Sequence, residues 1–190
     1  APYDVLGSKA HAQMLATVGL LTADEAEALC SELDIIMALV TKEDFVIEDD
    51  FEDIHSKIEF MLTERLGDVG KKIHTSRSRN DQVLTAMQLL LKDEITEIKE
   101  LTKALFSTWM SLAEKHKNDL LPGYTHLQVA MPSSFGLWFS AYAESLVDDV
   151  ILLNAAHTIC DQNPLGSAAG YGSSFPIDRM HTTEALQFST

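Results

Sequence analysis

An all-α protein is what this sequence predicts, on three observations. From Gln82 to Lys117 the chain runs without glycine or proline, and Leu84, Leu91, Ile98, Leu105 and Leu112 recur every seven residues. Thr22-Ala-Asp-Glu25 is a capping box, in which hydroxyl and carboxylate reciprocally satisfy orphan amides. Alternation with period two, the mark of a half-buried strand, is almost absent. With 190 residues, 46% hydrophobic and 23% charged, the composition is that of a globular chain with one sizeable core or two modest ones.

Taken in order, Asp4 to Val18 reads as an amphipathic helix closed by Gly19, and a second helix follows the capping box to about Val40. After the acidic connector Lys42 to Asp50, Asp53 to Leu66 carries Ile54, Ile58, Met61 and Leu62 at helical spacing and stops at Gly67. Gly67 to Gly70 reads as a turn. The run from Gln82 to Lys117 is one long helix, about 54 Å at about 1.5 Å per residue, and its apolar seam needs equally long neighbours. Pro122-Gly123 marks a break and Pro132-Ser133 a second start, with a stiff loop between them. Phe135 to Cys160 is apolar on most sides and belongs inside a bundle. Asn163 to Ser174, rich in glycine and serine, reads as a mobile connection, and Pro176 as the first residue of a helix running toward Thr190. The expected organisation is an N-terminal helical domain, residues 1-79, and an incomplete central helical bundle, residues 80-190. Two long apolar helices without a third or fourth point to a part of a larger subunit, buried by other chains.

Charge narrows the function. With 29 acids against 14 bases the net charge is -15, a field that repels polyphosphates and disfavours nucleic-acid binding. No run approaches about 18 uninterrupted apolar residues and no secretory leader opens the chain, so no membrane partner is expected and the cytoplasm is the expected compartment. Cys30 and Cys160 lie in apolar helical surroundings and read as buried free thiols. His11, His116, His157 and His181 show no ligand spacing, so no metal is expected. The glycine-rich loop lacks the lysine and hydroxyl of a phosphate-binding loop, and no serine or cysteine sits in a nucleophile elbow.

Against this acidity, Lys71, Lys72, Arg77 and Arg79 place four of the fourteen Lys and Arg residues within nine positions, running into "IHTSRSRNDQ" just before the long helix. A loop feeding a helix N-terminus favours an anion, and forked arginine donors suit carboxylates. The plainer alternative is that Asn80 or Asp81 caps the helix while the arginines pair with acids of the protein itself. A second candidate is "LPGYTHLQVAMP", in which His126 has the ordinary pKa for proton transfer near neutrality and Thr125 can donate to a carboxylate; otherwise His126 is a histidine satisfied by a backbone carbonyl. His55, in "EDIH", either orients a site residue or sits idle on a helix face.

Together "HTSRSRNDQ", "LPGYTHLQVAMP", "EDIHSKIE" and "NPLGSAAGYGSSFPIDR", in this order over essentially the whole chain, resemble the argininosuccinate lyases of the fumarase/aspartase superfamily. The resemblance implies an all-helical homotetramer that cleaves argininosuccinate to arginine and fumarate by β-elimination without a cofactor. It implies that Ser78, Arg79, Asn80 and Thr125 bind substrate, that His126 transfers a proton, and that Asp53, His55, Arg77 and Gln128 support the site. It also implies that each site is shared between three subunits. The third region of the family, a Gly-Ser-Ser-x-Met-Pro-x-Lys-x-Asn loop with the catalytic serine and a substrate-binding lysine, is absent. The chain is therefore expected to be the N-terminal part of the subunit, also lacking a short leader before Ala1, and inactive alone. Competing readings are a superfamily lyase for adenylosuccinate or fumarate, and a non-catalytic, crystallin-like helical protein.

Overall fold

A computed structural model describes residues 1–190. Its contacts divide the chain into two compact units, one of residues 1–90 with 161–190 and one of residues 91–160. The first is thus assembled from two stretches distant in sequence, where the sequence suggested a single cut after residue 79.

In the first unit α1 (Pro2–Thr17) packs on α2 (Ala23–Thr41) and α3 (Ile54–Leu66). The capping box at the start of α2 is formed in full: Glu25 N donates to Thr22 Oγ1 and Thr22 N to Glu25 Oε2. Asp53 caps α3 by accepting from Ser56 N at 2.6 Å. Val5, Leu15, Leu29, Leu33, Ile36, Ile58, Leu62 and Ile73 are fully or almost fully buried together, which makes this the core of the unit. Gly67, at φ 60, ends α3, as its lack of a side chain permits. The stretch after it is no simple turn: α4 (Asp68–Lys71) packs against α3, and a 3₁₀ turn over 72–74 follows it against α1. A Cβ on Gly70 would stand 2.3 Å from Leu62 O, so only glycine lets the backbones meet there.

The long helix α5 (Arg79–Lys115) starts three residues earlier than its apolar run, because the polar residues Arg79, Asn80 and Asp81 form its first turn. The stretch after residue 160 returns to the first unit and is not a free connection. Asp81 Oδ2 accepts from Gly166 N at 3.0 Å and Ala168 N at 2.8 Å, and Ser76 Oγ lies 2.6 Å from Ser173 Oγ. Arg179 donates to Asn163 O and Leu165 O. The last helix, α7 (Arg179–Ala185), begins three residues beyond Pro176 because Asp178 caps it through His181 N. It ends well before Thr190, whose carbonyl accepts from Asn163 N at 2.6 Å.

The second unit departs from an all-helical reading at one place. Between α5 and α6 (Phe135–Cys160), the expected loop is an antiparallel hairpin of β1 (Leu120–Thr125) and β2 (Gln128–Ser134), with a bulge beside Gly123. Pro122 and Pro132 face each other in the ladder. Both strands of a lone hairpin are edges, where a missing N–H is tolerated. The fold remains helical in class. Trp109 of α5 stacks on Phe139 and Tyr142 of α6, with ring centres 5.5 and 5.6 Å apart. Gly136 N donates to His116 O, an approach so close that a Cβ there would meet Lys117 Cα at 2.5 Å. Cys30 and Cys160 are free but only half-buried, Cys30 packing against the first core from its side.

Candidate active site

The cationic loop reaches the start of α5 through backbone and side-chain caps. Ser78 O accepts from Gln82 N, Ser78 Oγ accepts from Asn80 N at 3.3 Å, and Asp81 Oδ1 accepts from Ser78 N at 2.9 Å. Asp81 is 1% exposed, so this carboxylate, with its two further bonds to Gly166 and Ala168, fixes the first turn from within. Ser76, at φ 57, bends the loop just before it.

The two arginines go different ways. Arg77 is buried and donates from Nη1 to Ser8 Oγ at 2.9 Å; its Nη2 stands 4.0 Å from Glu59 Oε1. Burial pulls its pKa below the ordinary arginine value, while Asp4, Glu59 and Asp81 oppose that. Arg79 stays about one-third exposed. Its Nη1 donates to Gln82 Oε1 at 3.1 Å and to Glu59 Oε1 at 3.4 Å, its Nη2 to Ser56 Oγ at 3.5 Å, and its Nε is 3.8 Å from Asp53 Oδ2. Of the two readings of this loop, then, the capping and pairing of the plainer one are present: Asp81 caps, and both arginines meet acids of the same unit. The Arg79 contacts to carboxylate are nevertheless long beside the roughly 2.7–2.9 Å of a strong charge-assisted bond. Asn80 is exposed.

Asp53 holds both the α3 cap and the far side of Arg79. Burial raises its pKa, but the amide and hydroxyl of Ser56 and the charge of Arg79 prevail and keep it below the usual carboxylate range. His55 is not idle: its Nδ1 lies 2.9 Å from Asp4 Oδ1, somewhat out of line for a hydrogen bond. Asp4, 3% exposed, also accepts from Gln82 Nε2 at 2.9 Å. Beneath them His11 donates from Nε2 to Thr75 O at 2.9 Å. Burial first, and the charge of Arg77 second, push the His11 pKa down to about 3. Asp4, Ser8 and Gln82 escaped the sequence reading, which weighed His11 only as a metal ligand and Asp81 only as a helix cap. Polar residues buried inside apolar-periodic stretches were the available signal.

Thr125, His126 and Gln128 form a separate group in the second unit. Thr125 and Gln128 are the last ladder pair, and His126 and Leu127 make the two-residue turn, with φ 51 and 64. Such a turn ordinarily takes Asn-Gly; each L-residue there costs about 1–2 kcal/mol. Both are exposed, Leu127 at 98%. A cavity of about 540 Å³ lies at the root of the hairpin between Leu121, Tyr124, Phe135 and Trp138 and is mostly apolar, unlike the tip.

The model of the Lyase family matches residues 2–190. The chain is 58% identical over 190 residues to the argininosuccinate lyase of Parabacteroides distasonis and 46% identical over 187 residues to that of Stenotrophomonas maltophilia. It spans 43% of the length of each of these curated relatives, while they cover 100% and 98% of it. Among solved structures, EDDS lyase in complex with formate superposes with a TM-score of 0.88 at 26% identity, covering 99% of this chain and 37% of that one. The fumarate lyase:delta crystallin from Brucella melitensis in native form gives 0.78 at 18% identity, covering 98% and 45%, a likeness of fold. The fold is that of the fumarase/aspartase superfamily. Matched over all but its first residue, the chain belongs to the Lyase family.

Proposed function

We propose that this chain carries two of the three active-site regions of an argininosuccinate lyase, acting by β-elimination on argininosuccinate in arginine biosynthesis. The observation that carries the reading is the hairpin tip: His126 and Leu127 hold, in the open beside Thr125, the positive φ that this turn requires and that Asn-Gly would adopt without strain. Strain kept at an exposed polar tip marks a group placed for chemistry. The 58% identity to argininosuccinate lyases supports the choice of substrate.

In this reading Asn80, Thr125 and the loosely paired Arg79 donate to a succinyl carboxylate, with Ser78 shaping the helix start. Removing the proton from the carbon beside that carboxylate builds negative charge on it, and donors already aimed there stabilise the transition state more than the ground state. The carbon–nitrogen bond then breaks, its electron pair leaves with the guanidino nitrogen, and a proton delivered there releases arginine, with its guanidinium restored, and fumarate. His126 handles one of these protons. Asp53 and His55 hold the first region from α3, Arg77 from beneath, and Gln128 closes the turn that carries His126. The third region comes from elsewhere in the assembly, a homotetramer with shared sites in the cytoplasm. Exposed apolar residues along α5 and α6, such as Leu101, Ile151 and Leu152, support burial by other copies.

The test is complementation. Purified chain is mixed with argininosuccinate lyase subunits inactivated at the positions matching Thr125 and His126, and fumarate release is followed by ultraviolet absorbance. The chain alone should release no fumarate and the mixture should. His126→Asn should lower the restored rate by about 10²- to 10⁴-fold. A mixture that stays silent with the unaltered chain, or that His126→Asn leaves unchanged, overturns the proposal.

A further inference from the structure

We propose that Gln82 is the positioning residue for Arg79: its neutral amide aims the guanidinium without neutralising it, so that an incoming carboxylate finds both the direction and the charge. The inference rests on the substrate-binding role proposed above for Arg79.

Gln82 is 3% exposed, one turn into α5. Its Nε2 donates to Asp4 Oδ1 at 2.9 Å and its Oε1 accepts from Arg79 Nη1 at 3.1 Å. A carboxylate only accepts and a guanidinium only donates, so the amide between them has one satisfied orientation. Turned over, it would set oxygen against oxygen and N–H against N–H. The Gln82 contact is also the shortest that Arg79 makes, against 3.4 Å to Glu59, 3.5 Å to Ser56 and 3.8 Å to Asp53. The neutral partner therefore sets the direction, while the charged ones remain distant enough to be displaced. Because Asp4 Oδ1 also stands 2.9 Å from His55 Nδ1, the link ties groups of α1, α3 and α5 to one oxygen.

The chemistry gives a signature that plain packing would not. Gln82→Glu replaces the donor facing Asp4 by an oxygen. Two carboxylates at that distance cannot both ionise, so they share a proton and the pKa of the pair rises by about one unit or more. In the protonated form the new hydroxyl donates to Asp4 and the carbonyl accepts from Arg79, which reproduces the amide. A raised folded pKa gives an interaction that is present at low pH and lost as pH rises through it. The charged and titratable groups facing this point are Asp4 and His11 from α1, Asp53, His55 and Glu59 from α3, and Arg77, Arg79 and Asp81 along its own stretch. Asp4 dominates as the direct partner. Arg179, on the returning segment, is engaged with Asn163 O and Leu165 O.

The experiment uses the full 190-residue chain, with fumarate as probe and the Nε–Hε signal of Arg79 followed by NMR at about pH 5 and about pH 8. In the unaltered chain fumarate should shift the Arg79 and Asn80 signals at both values. Absence of that shift sinks the binding role, and Gln82 is then judged on the Arg79 signal without fumarate. Gln82→Glu should leave Arg79 as in the unaltered chain near pH 5 and displace it near pH 8, where fumarate affinity drops about tenfold. Gln82→Met should lose affinity at both. The inference is overturned if the Arg79 signal in Gln82→Glu follows the unaltered chain at both values, or departs from it equally at both. Should Gln82→Met fail to fold, the pH reversal within Gln82→Glu alone decides.

Discussion

The two units spend their apolar residues in opposite ways. In the first, eight large aliphatic side chains of α1, α2, α3 and the 3₁₀ turn fall to 1% exposure or less around one centre. In the second, Ile95, Ala113 and Ala143 are the buried hydrophobics, while Leu101, Leu137, Ile151, Leu152 and Ile159 each stay more than 60% exposed. Two helices and a hairpin cannot enclose a core; more helices are required. The first unit is therefore a self-contained body that presents polar groups, and the second an apolar scaffold whose burial has to come from outside itself.

The sharpest way to break this comparison is a matched pair of truncations. Leu33→Ala, in the first core, should cost about 3–5 kcal/mol of unfolding free energy in urea titration. Leu152→Ala, at 70% exposure, should cost under about 0.5 kcal/mol per isolated chain but weaken self-association measured by sedimentation. Equal losses would mean the units do not differ.

Next in size is a pH effect confined to the first unit. His11 is held neutral, with its pKa lowered to about 3, so the unfolded chain binds its proton more readily. Stability should fall as pH drops below about 6.5, by on the order of 3 kcal/mol between pH 7 and pH 4. Guanidinium melts across that window should lose this slope in His11→Gln. Smaller again is Gly136→Ala, which sets a Cβ against the backbone at Lys117 and should cost about 1–3 kcal/mol by thermal unfolding. Smallest is Leu127→Gly at the hairpin tip. It removes an L-residue from positive φ and should raise stability by about 0.5–1 kcal/mol. A loss there would show that the exposed leucine already packs on something.

The same contrast explains what was legible in the sequence. The helices were readable because local rules suffice: the capping box at Thr22, the heptad leucines of α5 and the glycine stop at residue 67 are each written within a few positions. The hairpin was not, because Pro122 and Pro132 signal a loop and only their cross-strand pairing makes them compatible with a ladder. At the candidate site the motifs singled out Ser78, Arg79, Asn80 and the Thr125-His126 pair as candidates. They were silent on what holds them: Gln82 meets Asp4 across 78 residues, and Asp81 meets Gly166 across 85. A side chain whose partner lies on another element carries no periodic signal. The glycine-rich stretch was likewise read as mobile from composition, and its tethers come from Asp81 and Ser76.

The bonds from Asp81 to Gly166 and Ala168 also order events in time. During synthesis α1, α2 and α3 can condense as soon as they emerge, since their core contacts lie within the first 73 residues. The first turn of α5 cannot be finished until the segment past residue 168 has left the ribosome, because two of the three amides that satisfy Asp81 are made that late. Until then the arginine-bearing loop stays half-sealed in the nascent protein, and a ribosome stalled before that point would display a folded three-helix body with an unfinished mouth.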